Sequence, residues 1–260
     1  MLHSKPINFM ETYITTLEDE SQNINSVNSI TQTELENLPI AKTKQELDKE
    51  INDKIEKNIN AAQPYFRCVL NFGDLLDLNG SGGNLLLELS SLNPNLQLET
   101  DRNNNLIILM PTKFNTSKNN LKLGVKVSIW NDEHELGEVT DSNGAFQMPV
   151  TKSIYAPDVA FVLHSKLEQI DLTDGVPTIA PDFVIELRSD SDRLKNLIAK
   201  MEEYIENGVR LGWLIDPQTE NVHIYRLNGN NTMQNFDESL SGEDVLPKFE
   251  LNLRSIFKKK

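Results

Sequence analysis

The middle of the chain alternates short apolar runs with polar turns. LLLELSSLN (85–93) spaces its leucines as a helix would, and LQLET (96–100) and LIILM (106–110) flank DRNNN as the two arms of a hairpin. Residues 119–130, NNLKLGVKVSIW, place Leu121, Leu123, Val125, Val127 and Ile129 at every second position, as in a strand, although length and position also suit a helix. GEVTDSNGAFQMP (137–149) reads as strand, Ser-Asn-Gly turn, strand. Two runs then nearly repeat: APDVAFVLHS (156–165) and APDFVIELRS (180–189). Each predicts a short strand buried on both faces, entered through Pro-Asp. The second is followed by a helical run in which Leu194, Leu197, Ile198, Met201 and Ile205 recur on one face. Ser189, Asp190 or Ser191 is expected to cap its start and Gly208 to end it. VRLGWLID (209–216) and NVHIYRL (221–227) predict two more strands joined by a short turn, and KFELNLRSIF is expected to pack back on them. Strand, helix, strand, strand implies a mixed α/β core.

The flanks read differently. Residues 1–44 are rich in Asn, Thr, Ser, Gln and acids and predict disorder, because they cannot bury enough apolar surface to offset chain entropy. In 45–59, Leu47, Ile51, Ile55 and Ile59 stand four apart on a charged helix, either docked or solvated. GSGGN (80–84) lacks the Lys-Ser or Lys-Thr of a phosphate cradle and reads as a joint. The expected organisation is an N-terminal extension over 1–62 and one domain over 63–257.

Charge narrows the function classes. The net charge is −14 over 260 residues, which argues against a large nucleic-acid surface, because phosphate contacts need Lys and Arg. Residues 101–200, with 11 basic and 14 acidic side chains, are closer to balance. A basic groove would therefore have to be assembled, and a homodimer is one way to do so. No apolar run nears the ~20 residues of a membrane span. Cys68 is the only cysteine and MLHSKPINF has no signal-peptide core, so a cytoplasmic protein without disulfides is expected.

The chemistry lies in the difference between the two repeated runs. Where the first has Val162, the second has Glu186. Strand alternation puts Asp182, Val184, Glu186 and Arg188 on one face of the second strand, and Asp158, Ala160, Val162 and His164 on one face of the first. A carboxylate inside a buried strand needs a partner, whether Arg188, a lysine from the next helix such as Lys200, or a metal ion. An ion pair with no chemistry is one outcome. If the strands are neighbours, Asp158 and Glu186 can instead meet, and an oxygen-rich pair of this kind suits Mg²⁺ or Mn²⁺.

Pro157-Asp158, 27 intervening residues and Glu186-Leu187-Arg188 resemble the PD-(D/E)xK nuclease pattern, with Arg in the usual Lys position. The wider blocks LNPNLQLETDRNNNLIILMPT (92–112), LGEVTDSNGAFQMP (136–149), APDVAFV (156–162) and 180–226 resemble the Uma2 restriction-endonuclease family from about residue 85 to 227. The resemblance implies a restriction-endonuclease-like fold, a mixed central sheet flanked by helices, acting as a divalent-metal-dependent endonuclease on DNA. It implies Asp158 and Glu186 as metal ligands, with Lys200 or Arg188 as the accompanying cation, and Asp182 as a weaker candidate. Residues 119–130 contain no Asp or Glu, so the acid that a helix often supplies in such nucleases is missing there. A non-catalytic binding or assembly module with the same fold is the alternative.

Overall fold

The computed structural model describes residues 83–258 apart from 95, 110 and 174, together with the backbone of 67–71 and two helical positions, Lys49 and Asp53. The disorder expected over 1–44, most of the helix expected over 45–59 and most of GSGGN lie outside the described residues. The chain divides into two units, Met1–Lys57 and Asn58–Lys260, and the elements below all belong to the second.

In chain order these are β1 (Arg67–Asn71), α1 (Asn84–Leu92), β2 (Gln97–Thr100), β3 (Asn105–Leu109), α2 (Phe114–His134), β4 (Gly137–Asp141), β5 (Phe146–Gln147), β6 (Ile154–Tyr155), β7 (Val159–Leu163), α3 (His164–Leu167), β8 (Phe183–Leu187), α4 (Leu194–Glu206), β9 (Leu211–Asp216), β10 (Asn221–Arg226), β11 (Thr232–Asn235), β12 (Ser239–Ser241) and β13 (Glu250–Asn252). A six-stranded sheet runs β11-β10-β9-β8-β7-β4, and a five-stranded sheet runs β1-β3-β2-β6-β5. The two repeated runs are β7 and β8, antiparallel neighbours with Val159 opposite Ile185. β8 and β9 are parallel and joined by α4, whereas β9 and β10 form a hairpin. The expected mixed α/β architecture is therefore present, and helices cover both faces of the six-stranded sheet.

Alternation along the strands sorts the core. Val159, Phe161, Phe183, Ile185 and Leu187 face α2 and the C-terminal segment, where Leu123, Val127, Trp130, Phe249, Leu251 and Ile256 pack. Ala160, Val162 and Val184 face α4 through Met201 and Tyr204. Gly212 lets α4 approach β9, since a Cβ there would lie 2.5 Å from the Met201 Cε.

Three local readings are settled or corrected. Residues 119–130 are helical, within α2. Their strand-like alternation arises because Leu123 and Val127 are buried while Leu121, Val125 and Ile129 form a second apolar row exposed to solvent. The two strands of 137–149 do not pair with each other: β4 joins β7 and β5 joins β6, in different sheets. Finally, Ser189, Asp190 and Ser191 do not cap α4, which begins after Arg193 without a side-chain cap. Asp192 instead closes a turn, accepting from Ser189 N (2.8 Å) and Ser189 Oγ (2.6 Å). Gly208 follows the helix at φ +100°, as its position predicts.

Candidate active site

Extending the β7–β8 register one residue beyond the Val159–Ile185 pair sets Asp158 across from Glu186. The Asp158 Oδ2 accepts from Leu187 N at 2.7 Å, which ties it to the strand that carries Glu186. Glu186 is buried and points toward α4. There its Oε1 accepts from Tyr204 Oη (2.8 Å) and pairs with Lys200 Nζ (2.9 Å). The same ammonium pairs with Glu99 Oε1 at 2.9 Å. Lys200 and Tyr204 stand one turn apart on the apolar face of α4, so the packing of that face against the sheet delivers both to Glu186.

The hairpin β2–β3 supplies the third carboxylate. Glu99 is buried, and its Oε1 also accepts from Ala156 N at 3.0 Å, two residues before Asp158. Tyr155 lies against Lys200, 5.0 Å from ring centroid to Nζ, and donates to Glu203 Oε2 at 3.0 Å. From α2, Asn120 Nδ2 donates to Asp158 Oδ1 at 2.7 Å, while the enclosed Asn120 Oδ1 has no hydrogen-bond partner among the described residues.

The electrostatics follow from three acids around one base. Burial and the facing Glu186 push Asp158 up to about 7, while the Leu187 N–H and Lys200 oppose the rise. Burial also raises Glu186, against the pull of Lys200. Burial acts to lower Lys200, but Glu186 and Glu99 outweigh it and hold the ammonium above its ordinary value. Burial and then Glu186 raise Tyr204, keeping its hydroxyl a proton donor. The cluster thus holds more negative charge than its one ammonium neutralises.

The model of the Uma2 family, whose description reads "Putative restriction endonuclease", matches residues 85–254. The chain belongs to the Uma2 family. The match contains Glu99, Asn120, Asp158, Glu186, Arg188 and Lys200 alike. Among solved structures, a putative nuclease belonging to DUF820 from Anabaena variabilis is similar, with a TM-score of 0.51 and 18% identity. The likeness covers 58% of this chain and 85% of that one, and it supports the restriction-endonuclease-like fold. No curated protein matches the chain.

Within this Uma2 domain the sequence candidates separate. Asp158, Glu186 and Lys200 are drawn together. Arg188, which occupies the motif's Lys position, turns instead to Asp216 on β9, with Nη1 2.7 Å from the buried Oδ2. Asp182 lies at the far end of β8. Its Oδ2 accepts from Leu163 N (3.0 Å), and its Oδ1 faces Lys166 (3.1 Å) and Arg210 (3.8 Å). Glu99 and Asn120 were not among the sequence candidates. Glu99 carries the signal that marked Glu186, a carboxylate in a buried strand. Asn120 carries none, since its role depends on α2 being a helix that faces Asp158.

The donor set consists of hard oxygens, which suit a divalent cation of the Mg²⁺ class rather than a soft metal. Among the described residues no three His, Cys, Asp or Glu side chains form a ready cage. Asp158 and Glu186 alone would hold such an ion, completed by water and neutral oxygen, as is usual for Mg²⁺. Glu186 Oε2 accepts no hydrogen bond among the described residues, and the orphaned Asn120 Oδ1 is a neutral acceptor beside Asp158. Among the described residues no helix is long and apolar enough to cross a membrane.

Proposed function

We propose that this Uma2 protein is a divalent-metal-dependent endonuclease that hydrolyses phosphodiester bonds in DNA. The observation that carries the reading is the Asp158–Glu186 pair set across neighbouring strands, with Lys200 held at Glu186 by Glu99. Asp158 and Glu186 would hold Mg²⁺ or Mn²⁺. The ion, when bound, supplies charge neutralisation for the scissile phosphate and a more acidic water. Lys200 stays charged, so it stabilises phosphate charge and orients water rather than removing a proton. Tyr204 and Glu99 fix Glu186 and Lys200, and Asn120 and the Leu187 N–H fix Asp158. Arg188 serves the sheet through Asp216, which favours Lys200 as the motif's cation.

Incubating the full chain with supercoiled plasmid and Mg²⁺ or Mn²⁺ tests the proposal. Nicking and linearisation are expected with metal, a fall to the EDTA background in Asp158→Ala and Glu186→Ala, and near-parent rates in Asp182→Asn. Cleavage that persists in both alanine variants removes the site.

A second reading, a non-catalytic module with the nuclease fold, is favoured by one observation. Lys200 already bridges Glu186 and Glu99 without any ion. Calorimetric titration with Mn²⁺ separates the two, since the module binds no ion that Glu186→Ala abolishes.

A further inference from the structure

The nuclease reading leaves the outer face of α2 unexplained. The helix buries Leu123, Val127 and Trp130 yet exposes Leu121, Val125 and Ile129, with Phe114 at its first residue and Leu136 just beyond its end. Phe114 and Leu121 are 80% and 70% exposed. Scattered surface apolar residues are ordinary, but these recur at helical spacing in a row opposite the buried face. The row also has a symmetry. About Val125, Leu121 and Ile129 are equidistant, and so are Lys118 and Asp132. Lys118 and Asp132 are exposed and make no ion pair among the described residues. They stand 14 positions apart, about 21 Å along the helix, and so cannot reach each other within one chain.

We propose that the exposed row of α2 is a self-association surface, on which α2 of a second copy packs antiparallel about a two-fold axis through Val125. An isologous interface requires a patch complementary to itself when reversed, and this row meets that demand in its apolar spacing and in the Lys118–Asp132 pairing. Leu121 of each copy would meet Ile129 of the other, Val125 would meet Val125, and Lys118 would meet Asp132 at both ends. Of the possible occupants, a second copy is the one whose apolar spacing and opposite charges are already written in α2 itself. The inference does not depend on catalysis, because none of these residues belongs to the candidate site.

Sedimentation equilibrium of the full chain over a micromolar concentration series tests it. A species of twice 29.5 kDa is expected. Val125→Glu sets two like charges on the axis and should raise the dimer dissociation constant at least ~10-fold. Lys118→Glu and Asp132→Lys should each weaken association, and the double reversal Lys118→Glu/Asp132→Lys should recover it. All three positions are exposed, so circular dichroism of the four variants should match the parent throughout. A parent that stays monomeric overturns the proposal. So does a dimer indifferent to Val125→Glu, or a double reversal no tighter than the single variants.

Discussion

β7 and β8 are each entered through Pro-Asp and each end at a leucine, and they run antiparallel, so each aspartate lies beside the other strand's last residues. Asp158 accepts from Leu187 N, and Asp182 accepts from Leu163 N, the equivalent residue of the other run. The two aspartates are thus held alike by backbone. They differ in what else they meet. Asp182 faces Lys166 and Arg210 and is neutralised. Asp158 faces a second carboxylate and an amide, and is pushed up to about 7. Position 162 or 186, Val in one strand and Glu in the other, turns one structural motif into a candidate site. A Pro-Asp start is therefore weak evidence of chemistry, whereas uncompensated charge facing it is strong evidence.

The largest way to break the comparison is to remove the cation from the site end. Lys200→Met leaves Glu99 and Glu186 buried without their partner, which should cost about 3–5 kcal/mol near neutral pH. The deficit should narrow as pH falls, because a proton on Glu186 replaces the missing ammonium. Urea melts at pH 5 and pH 8 check both the size and the direction. An equal loss at the two pH values would mean that Lys200 acts through packing alone. The structural end should respond more mildly. Asp182→Ala removes the acceptor of Leu163 N and the partner of two half-buried cations that can rehydrate, so a loss of about 1–3 kcal/mol is expected. Asp158→Ala should lose activity instead; it strands Leu187 N and Asn120 Nδ2 but relieves the repulsion with Glu186, so its urea midpoint should fall less than that of Asp182→Ala.

The contrast also explains what could be read from the chain. β7, β8, α4 and β9 were legible because their apolar spacing has one period each, and Glu186 stood out as a charge within a buried run. Lys200 was legible as a candidate because it flanks the apolar stripe of α4. Arg188 looked equivalent, since alternation puts it on the Glu186 face, but alternation does not reveal that Asp216 occupies the adjacent place on a parallel neighbour. α2 was ambiguous for a physical reason: two apolar rows on opposite sides of a helix, at 123 and 127 and at 121, 125 and 129, sum to an every-second-residue pattern. That ambiguity also hid Asn120. Glu99 carries the same local signal as Glu186, but its place beside Lys200 depends on a contact between β2 and α4 that no local spacing encodes.

The most conservative variant sharpens the comparison most, because Asp158→Asn keeps the shape of the side chain and removes only its titration. The Asp158 carboxyl ordinarily titrates near 3.8 and is held at about 7 in the fold. The folded state therefore keeps the proton longer than the unfolded chain does. The stability this confers is complete below the unfolded value and is lost as pH rises through the folded one. In EDTA, the parent's melting temperature should accordingly decline between about pH 4 and pH 7. Asp158→Asn has no such proton to lose, so its profile should be flatter, and at pH 8 it should be no less stable than the parent. On the proposed reading Asp158 and Glu186 would hold Mn²⁺, so adding it at pH 8 should raise the melting temperature of the parent more than that of Asp158→Asn. Equal shifts in the two proteins would put the ion elsewhere and leave the Asp158–Glu186 pair as a strained contact without a ligand.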